Sequence, residues 1–214
     1  TRLQLSNRLD EQDTMVLRLG RAADGPGTQF ALVRVPGGLD DFFIDEEAFE
    51  PDERQVLDYT SGGADALALG QSARDMLEVY RSLPTFSETS FVNFALSTGI
   101  LSRALGLDAD QIGTAPTTVA STFDFEFEPH PDRTTVIHHN GGQVEIDALI
   151  VTRRRGKRIL LVIEAKRGQR RKLAKHKLSY PALAAKASLS LDVDRIVPVY
   201  LRAQSVDDAI RYSL

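Results

Sequence analysis

The 214-residue chain contains no cysteine, which excludes disulfides and thiolate metal ligands and leaves carboxylates and four histidines as candidate donors. It has no run of about 18 apolar residues and no basic-then-apolar N-terminal pattern, so neither a membrane span nor a secretory signal is expected. The first residue is Thr1 rather than Met, as expected if an initiator or short leader has been removed. No Walker-type glycine-rich loop is present, and no nucleotide cofactor is expected. Internal repeats and low-complexity segments are also lacking. These absences predict a cytoplasmic protein with no membrane partner.

What is present is ordinary in amount and uneven in distribution. Hydrophobic residues at 42% and charged residues at 26% match soluble globular proteins, and the length suits one sizeable core with a smaller lobe. The net charge of -4 argues against a generally basic nucleic-acid binder, yet it conceals two opposite blocks. Between Asp40 and Glu53 acids occur with no base, which reads as a solvated loop, a surface that repels DNA or a dock for a basic partner. Between Arg153 and Lys177 the only acid is Glu164. Within that block Arg167, Arg170, Arg171, Lys172, Lys175 and Lys177 are the candidates for binding a phosphate backbone by charge neutralisation.

Residues 1–83 carry mixed signals and are read as a small N-terminal lobe for recognition or dimerisation. Gln29 to Val35 resembles a strand between Gly25-Pro26-Gly27 and Pro36-Gly37-Gly38, and Ala64 to Arg81 resembles a helix after Ser61-Gly62-Gly63. Residues 84–214 are read as the main core. Ser87 and Glu88 open a helix whose apolar positions run through Phe91, Phe94, Ala95, Ile100, Leu101 and Leu105, with Gly106 as its stop. Phe123, Phe125 and Phe127 alternate with Asp124, Glu126 and Glu128 as in a half-buried strand. Asn140-Gly141-Gly142 reads as a hairpin turn between strands 134–138 and 143–152, and Arg153 to Lys157 as a second turn into 158–163. A basic helix over 170–187 is expected to kink or restart at Tyr180-Pro181. Arg195 to Leu201 reads as a last strand and Ser205 to Tyr212 as a short closing helix. This order predicts an α/β (α+β) fold in which a mixed central sheet is flanked by helices.

The chemistry concentrates on two strands. Residues two apart in a strand share a face, so Glu145 projects with Asp147, and Glu164 with Lys166. The turn at 153–157 makes the two strands neighbours and brings Asp147 and Glu164 to about the same level. Carboxylates on otherwise apolar strands are costly unless a cation compensates them. Oxygen donors without thiolates favour Mg²⁺, with Mn²⁺ as substitute, over zinc. A water acidified by such a metal and oriented by the Lys166 ammonium would attack a phosphodiester and leave a 5′-phosphate. A salt-bridge ladder across an exposed face is the competing reading.

Asp147, followed across a hairpin by Glu164-Ala165-Lys166, resembles the active-site signature of the PD-(D/E)XK nuclease superfamily, which includes many restriction endonucleases. The resemblance covers about residues 85–202, and Ile146 stands where many members carry proline. It implies a restriction-endonuclease-like core with Asp147 and Glu164 as metal ligands and Lys166 as catalytic lysine. It also implies that Glu88 is an accessory catalytic acid, with Glu145 an auxiliary of open role. The expected activity is that of a Mg²⁺-dependent endonuclease on double-stranded DNA, of type II restriction-modification kind and acting as a homodimer. Alternatives are a DNA repair or junction nuclease, or an inactive nuclease fold that only binds DNA.

Among the remaining residues, His138 and His139 point to opposite strand faces, which speaks against catalysis there. His130 and His176 read as surface residues, the three phenylalanines as core, and Tyr180 either contacts DNA or packs beside Pro181.

Overall fold

The computed structural model describes residues 9, 12–34, 56–60, 75, 78–80, 82, 87–108, 117–130, 133–168, 175–206 and 209–214. The acidic stretch 40–53, most of the expected helix 64–81, the turn 36–38 and Arg170, Arg171 and Lys172 lie outside the described residues. The chain is a mixed α and β protein forming two compact units, each drawing on segments from both sides of residue 84. One comprises residues 1–49, 120–145 and 173–190, the other 50–119, 146–172 and 191–214.

In the first unit β1 (Thr14–Arg21) and β2 (Thr28–Arg34) form an antiparallel hairpin around Gly25-Pro26-Gly27. Gly20 of β1 bridges Asn140 of β5 (Ile137–Arg154), and β4 (Thr117–Phe127) pairs with the same strand. Asn140-Gly141-Gly142 is therefore not a hairpin turn, because β5 runs through it without a break. The glycines answer to crowding instead. A Cβ on Gly20 would meet the Asn140 carbonyl oxygen at 2.1 Å, and one on Gly142 would meet His139 Nε2 at 2.1 Å. Gly141 adopts φ 51°, and its amide donates to Asp124 Oδ1 at 2.6 Å.

Phe125, Phe127, His139 and Tyr180 form a buried aromatic cluster in this unit, with His139 stacked on Phe125 at 4.5 Å and Tyr180 edge-on to both. The Tyr180 hydroxyl donates to the Arg18 carbonyl at 2.8 Å, so the residue packs rather than facing a ligand. Its helix, α3 (Lys175–Ser188), continues through Pro181 without the expected interruption. The lost backbone donor is offset by burial of Tyr180, Pro181, Ala182, Ala184 and Ala185 along one stretch. His130 is also buried, against the surface position expected from its isolation in the sequence, while the side chain of His176 lies outside the description.

The second unit holds the larger apolar core. Its sheet runs from the second half of β5 through β6 (Lys157–Arg167), β7 (Arg195–Val206) and β8 (Ala209–Ser213) to β3 (Val56–Thr60). β5–β6, β7–β8 and β8–β3 are antiparallel, and β6–β7 is parallel, which makes the sheet mixed. Of residues 205–212, expected as a helix, 205 and 206 instead end β7 and 209–212 belong to β8. Ile210 and Tyr212 alternate into the core at period two, and buried Tyr212 donates its hydroxyl to the Phe91 carbonyl at 3.0 Å.

Against one face of this sheet lies α1 (Glu88–Ser97), followed by α2 (Ile100–Ala104). Ser87 caps α1, its hydroxyl accepting from the Ser90 amide at 3.0 Å. Phe91, Phe94, Ala95 and Leu101 pack on Ile159, Leu161, Ile163, Val199 and Leu201. Where one helix was expected, the chain breaks at Gly99, whose φ of 72° ends one helical run and lets the next begin at Ile100.

Candidate active site

The turn joining β5 to β6 sets the geometry of everything beyond it. Arg155 and Gly156 sit at φ 51° and 77°, the conformation of a two-residue hairpin whose twist matches the flanking strands. Positive φ is unfavourable at an arginine, and Asp108 compensates it: its carboxylate accepts from the amides of Arg155 and Gly156 at 2.7 and 2.8 Å. The Asp108 amide in turn donates to the Arg153 carbonyl at 2.9 Å. With this loop fixed, the pairing runs from Arg154↔Lys157 to Ala148↔Ile163. One further step sets Asp147 opposite Glu164.

At that step the ladder changes partners. The Ala165 amide donates to Asp147 Oδ2 at 2.7 Å, so a side-chain oxygen stands where a β5 carbonyl would continue the pairing. Glu164, only 6% exposed, ion-pairs through Oε1 with Lys166 Nζ at 2.7 Å. Lys166 Nζ also lies 3.4 Å from Glu88 Oε2, at the first residue of α1, and 3.7 Å from Asp147 Oδ2. It donates to the Ala165 carbonyl as well. Three carboxylates thus converge on one ammonium, leaving a formal charge of -2 from three acids and one base.

The charge state of the lysine follows from its neighbours. Burial alone would lower the Lys166 pKa from 10.5, but the hydrogen bond to Glu164 and the charges of Glu164, Asp147 and Glu88 together outweigh it and raise the value. Lys166 is therefore a fixed cation at neutral pH, fitted to hold or polarise an anion and unfitted to abstract a proton. Among the described residues no set of three or more His, Asp or Glu side chains is arranged to hold a metal ion; the three acids instead face the lysine.

Glu145 lies two residues before Asp147 on β5, is exposed, and is not one of the three carboxylates around Lys166. Arg167 is exposed at the end of β6. Lys175 begins α3 with its side chain undescribed, and Lys177 is exposed on the same helix, which belongs to the other unit. Two neighbours of the site escaped the sequence. Tyr200 of β7 is in register with Glu164, and Arg202 with Lys166. Their signal is the change from Ile196 and Pro198 to Tyr200, Arg202 and Gln204 at alternate positions, opposite the apolar face of Val197, Val199, Leu201 and Ala203, and it becomes informative only once β7 is known to pair with β6. Asp108 was missed for the same reason, since its role is to fix a turn 47 residues away.

Among the described residues, no helix is long and apolar enough to cross a membrane. Residues 70–212 match the family model described as a domain of unknown function (DUF6997), a span that contains every residue of the lysine–carboxylate cluster. No curated protein and no solved structure matches the chain.

Proposed function

The chain belongs to the DUF6997 family, whose description assigns no chemistry, and from its own residues we propose that it is a metal-dependent nuclease acting on double-stranded DNA. The proposal carries with it a restriction-endonuclease-like reading of the core, residues 84–214, and a homodimeric enzyme of type II restriction kind. One observation carries it: Glu88, Asp147 and Glu164 converge on Lys166 at the end of the β5–β6 ladder. A surface salt bridge needs one acid per base, whereas this cluster retains two negative charges in excess and a nearly buried Glu164.

The donors are all oxygens, which suits Mg²⁺ or Mn²⁺, and Asp147 and Glu164 are the side chains that would hold the ion. When bound, the ion would neutralise phosphate charge and acidify a water molecule. Lys166, kept protonated by its three acids, donates to a phosphate oxygen or to the attacking water. Glu88 restrains the Lys166 ammonium from the α1 side. In the reaction the water oxygen bonds to phosphorus, the bond from phosphorus to the 3′-oxygen breaks, and the products are a 5′-phosphate and a 3′-hydroxyl. Arg167, exposed at the end of β6, supplies charge for the DNA backbone.

Purified protein is expected to cut plasmid DNA with Mg²⁺ and to lose about 100- to 1,000-fold in rate in Asp147→Ala and Lys166→Ala. Full activity in those variants would overturn the assignment. Discrete fragments favour a restriction enzyme, and cutting confined to branched DNA favours a repair nuclease. A second reading, DNA binding without cleavage, draws on the 2.7 Å pair by which Lys166 already satisfies Glu164. Salt-sensitive binding with no cleavage under any divalent ion would favour it.

A further inference from the structure

Residues paired across neighbouring strands project to the same sheet face. Asp147, Glu164 and Tyr200 therefore form one row across β5, β6 and β7, with Lys166 and Arg202 in the next row. Along β6 this face changes from apolar Leu160 and Val162 to Glu164 and Lys166. Along β7 it changes from Ile196 and Pro198 to half-buried Tyr200 and Arg202. The change occurs toward the C-terminal ends of two parallel strands. β6 is flanked there by an antiparallel neighbour on one side and by a crossover neighbour on the other. In open α/β sheets ligands bind outside the carboxyl ends of the parallel strands, and β6 and β7 end together here.

Charge bears on what binds. Glu88, Asp147 and Glu164 against Lys166 leave an excess of two negative charges, which would repel a phosphate chain. A divalent ion held by Asp147 and Glu164 would only bring this excess to about zero, so a further cation on the same face is what would give the site a net attraction for an anionic substrate. Arg202 is the residue in register to supply it, with a planar guanidinium that matches two phosphate oxygens.

We propose that Tyr200 and Arg202 of β7 complete the site as substrate-binding residues, Arg202 holding a backbone phosphate of the nucleic-acid strand beside Lys166 and Tyr200 donating a hydrogen bond to it. The proposal rests on the nuclease reading for the identity of its ligand. The Tyr200 phenol carries the hydroxyl proton that such a bond requires.

The test has a binding arm and a cleavage arm, on full-length protein. Binding of a fluorescent 20-base-pair duplex is measured with Ca²⁺ over a salt series for wild type, Arg202→Gln, Arg202→Lys and Tyr200→Phe. Circular dichroism checks that each variant is folded. Arg202→Gln is expected to weaken binding about 10- to 100-fold and to reduce the salt slope by about one phosphate contact. Arg202→Lys should restore the slope and only part of the affinity, and Tyr200→Phe should cost about 3- to 10-fold with an unchanged slope. In the cleavage arm Arg202→Gln should raise KM with little change in kcat, unlike Lys166→Ala. A wild-type salt slope and KM in folded Arg202→Gln would overturn the proposal while leaving nuclease activity in place. A reduced slope in a protein that never cuts would retain the phosphate site and refute the nuclease. Wild-type protein that neither binds nor cuts DNA overturns both.

Discussion

Replacing Lys166 by methionine keeps most of the side-chain volume and removes the ammonium from among three carboxylates. Glu164 is 6% exposed and holds Lys166 Nζ at 2.7 Å, so the variant strands a nearly buried charge. Removing one partner of a fully buried pair costs about 3–5 kcal/mol, while exposed pairs are worth about 0–1 kcal/mol. The Lys166 side chain is 30% exposed, which places the loss between these limits, at about 2–3 kcal/mol. For a chain of this size that corresponds to a fall of about 5–10 °C in Tm. Pairing Lys166→Met with Glu164→Gln removes both charges and should recover much of the loss, giving a coupling of about 2 kcal/mol in a double-mutant cycle. Urea denaturation of the four proteins at neutral pH measures it. A Lys166→Met loss below about 0.5 kcal/mol, or additivity in the cycle, refutes the claim that this ion pair compensates a buried carboxylate.

The same lysine makes stability fall in alkali. Its folded pKa is raised above 10.5, so its contribution is complete below that pH and is lost as pH rises through the folded value; wild type should lose its advantage over Lys166→Met in denaturation curves above pH 10.5. Gly142→Ala drives a methyl to 2.1 Å from His139 Nε2, within a ring stacked on Phe125, and should destabilise by more than about 2 kcal/mol. Gly141→Ala meets nothing within 4 Å but sits at φ 51°, so only its backbone strain of about 1 kcal/mol should appear; equal losses at both positions would refute the packing argument.

What the sequence revealed was local. The helix start at Ser87, the alternation of Phe123, Phe125 and Phe127, and a turn within Arg153 to Lys157 each depend on neighbours within a few positions; the first two appear as expected, and the turn is narrower, with only Arg155 and Gly156 between the strands. Asp147 and Glu164 could be aligned because a short hairpin fixes register, and counting outward from its turn gives the opposing pair. Where a distant segment decides, local signals misled. Asn140-Gly141-Gly142 has the composition of a turn, but its glycines make room for Gly20 and for the His139 ring. Residues 205–212 resemble a short helix until Tyr212 is seen reaching the Phe91 carbonyl, 121 residues away. Pro181 should break a helix, yet the buried residues around it hold α3 together.

Tyr200 and Arg202 were invisible for a different reason. Each is unremarkable in a strand, and only the parallel pairing of β7 with β6 gives them a common face with Glu164 and Lys166. That pairing joins strands separated by a long crossover, which no local period encodes. The acids on β5 and β6 therefore set the charge that must be balanced, and the crossover decides which cation can balance it. A site read from its hairpin alone contains the residues that repel a phosphate chain and only one that attracts it. The third strand places Arg202 in register with Lys166, so that, beside a divalent ion that offsets the acids, it is the further cation through which the site would attract an anionic substrate.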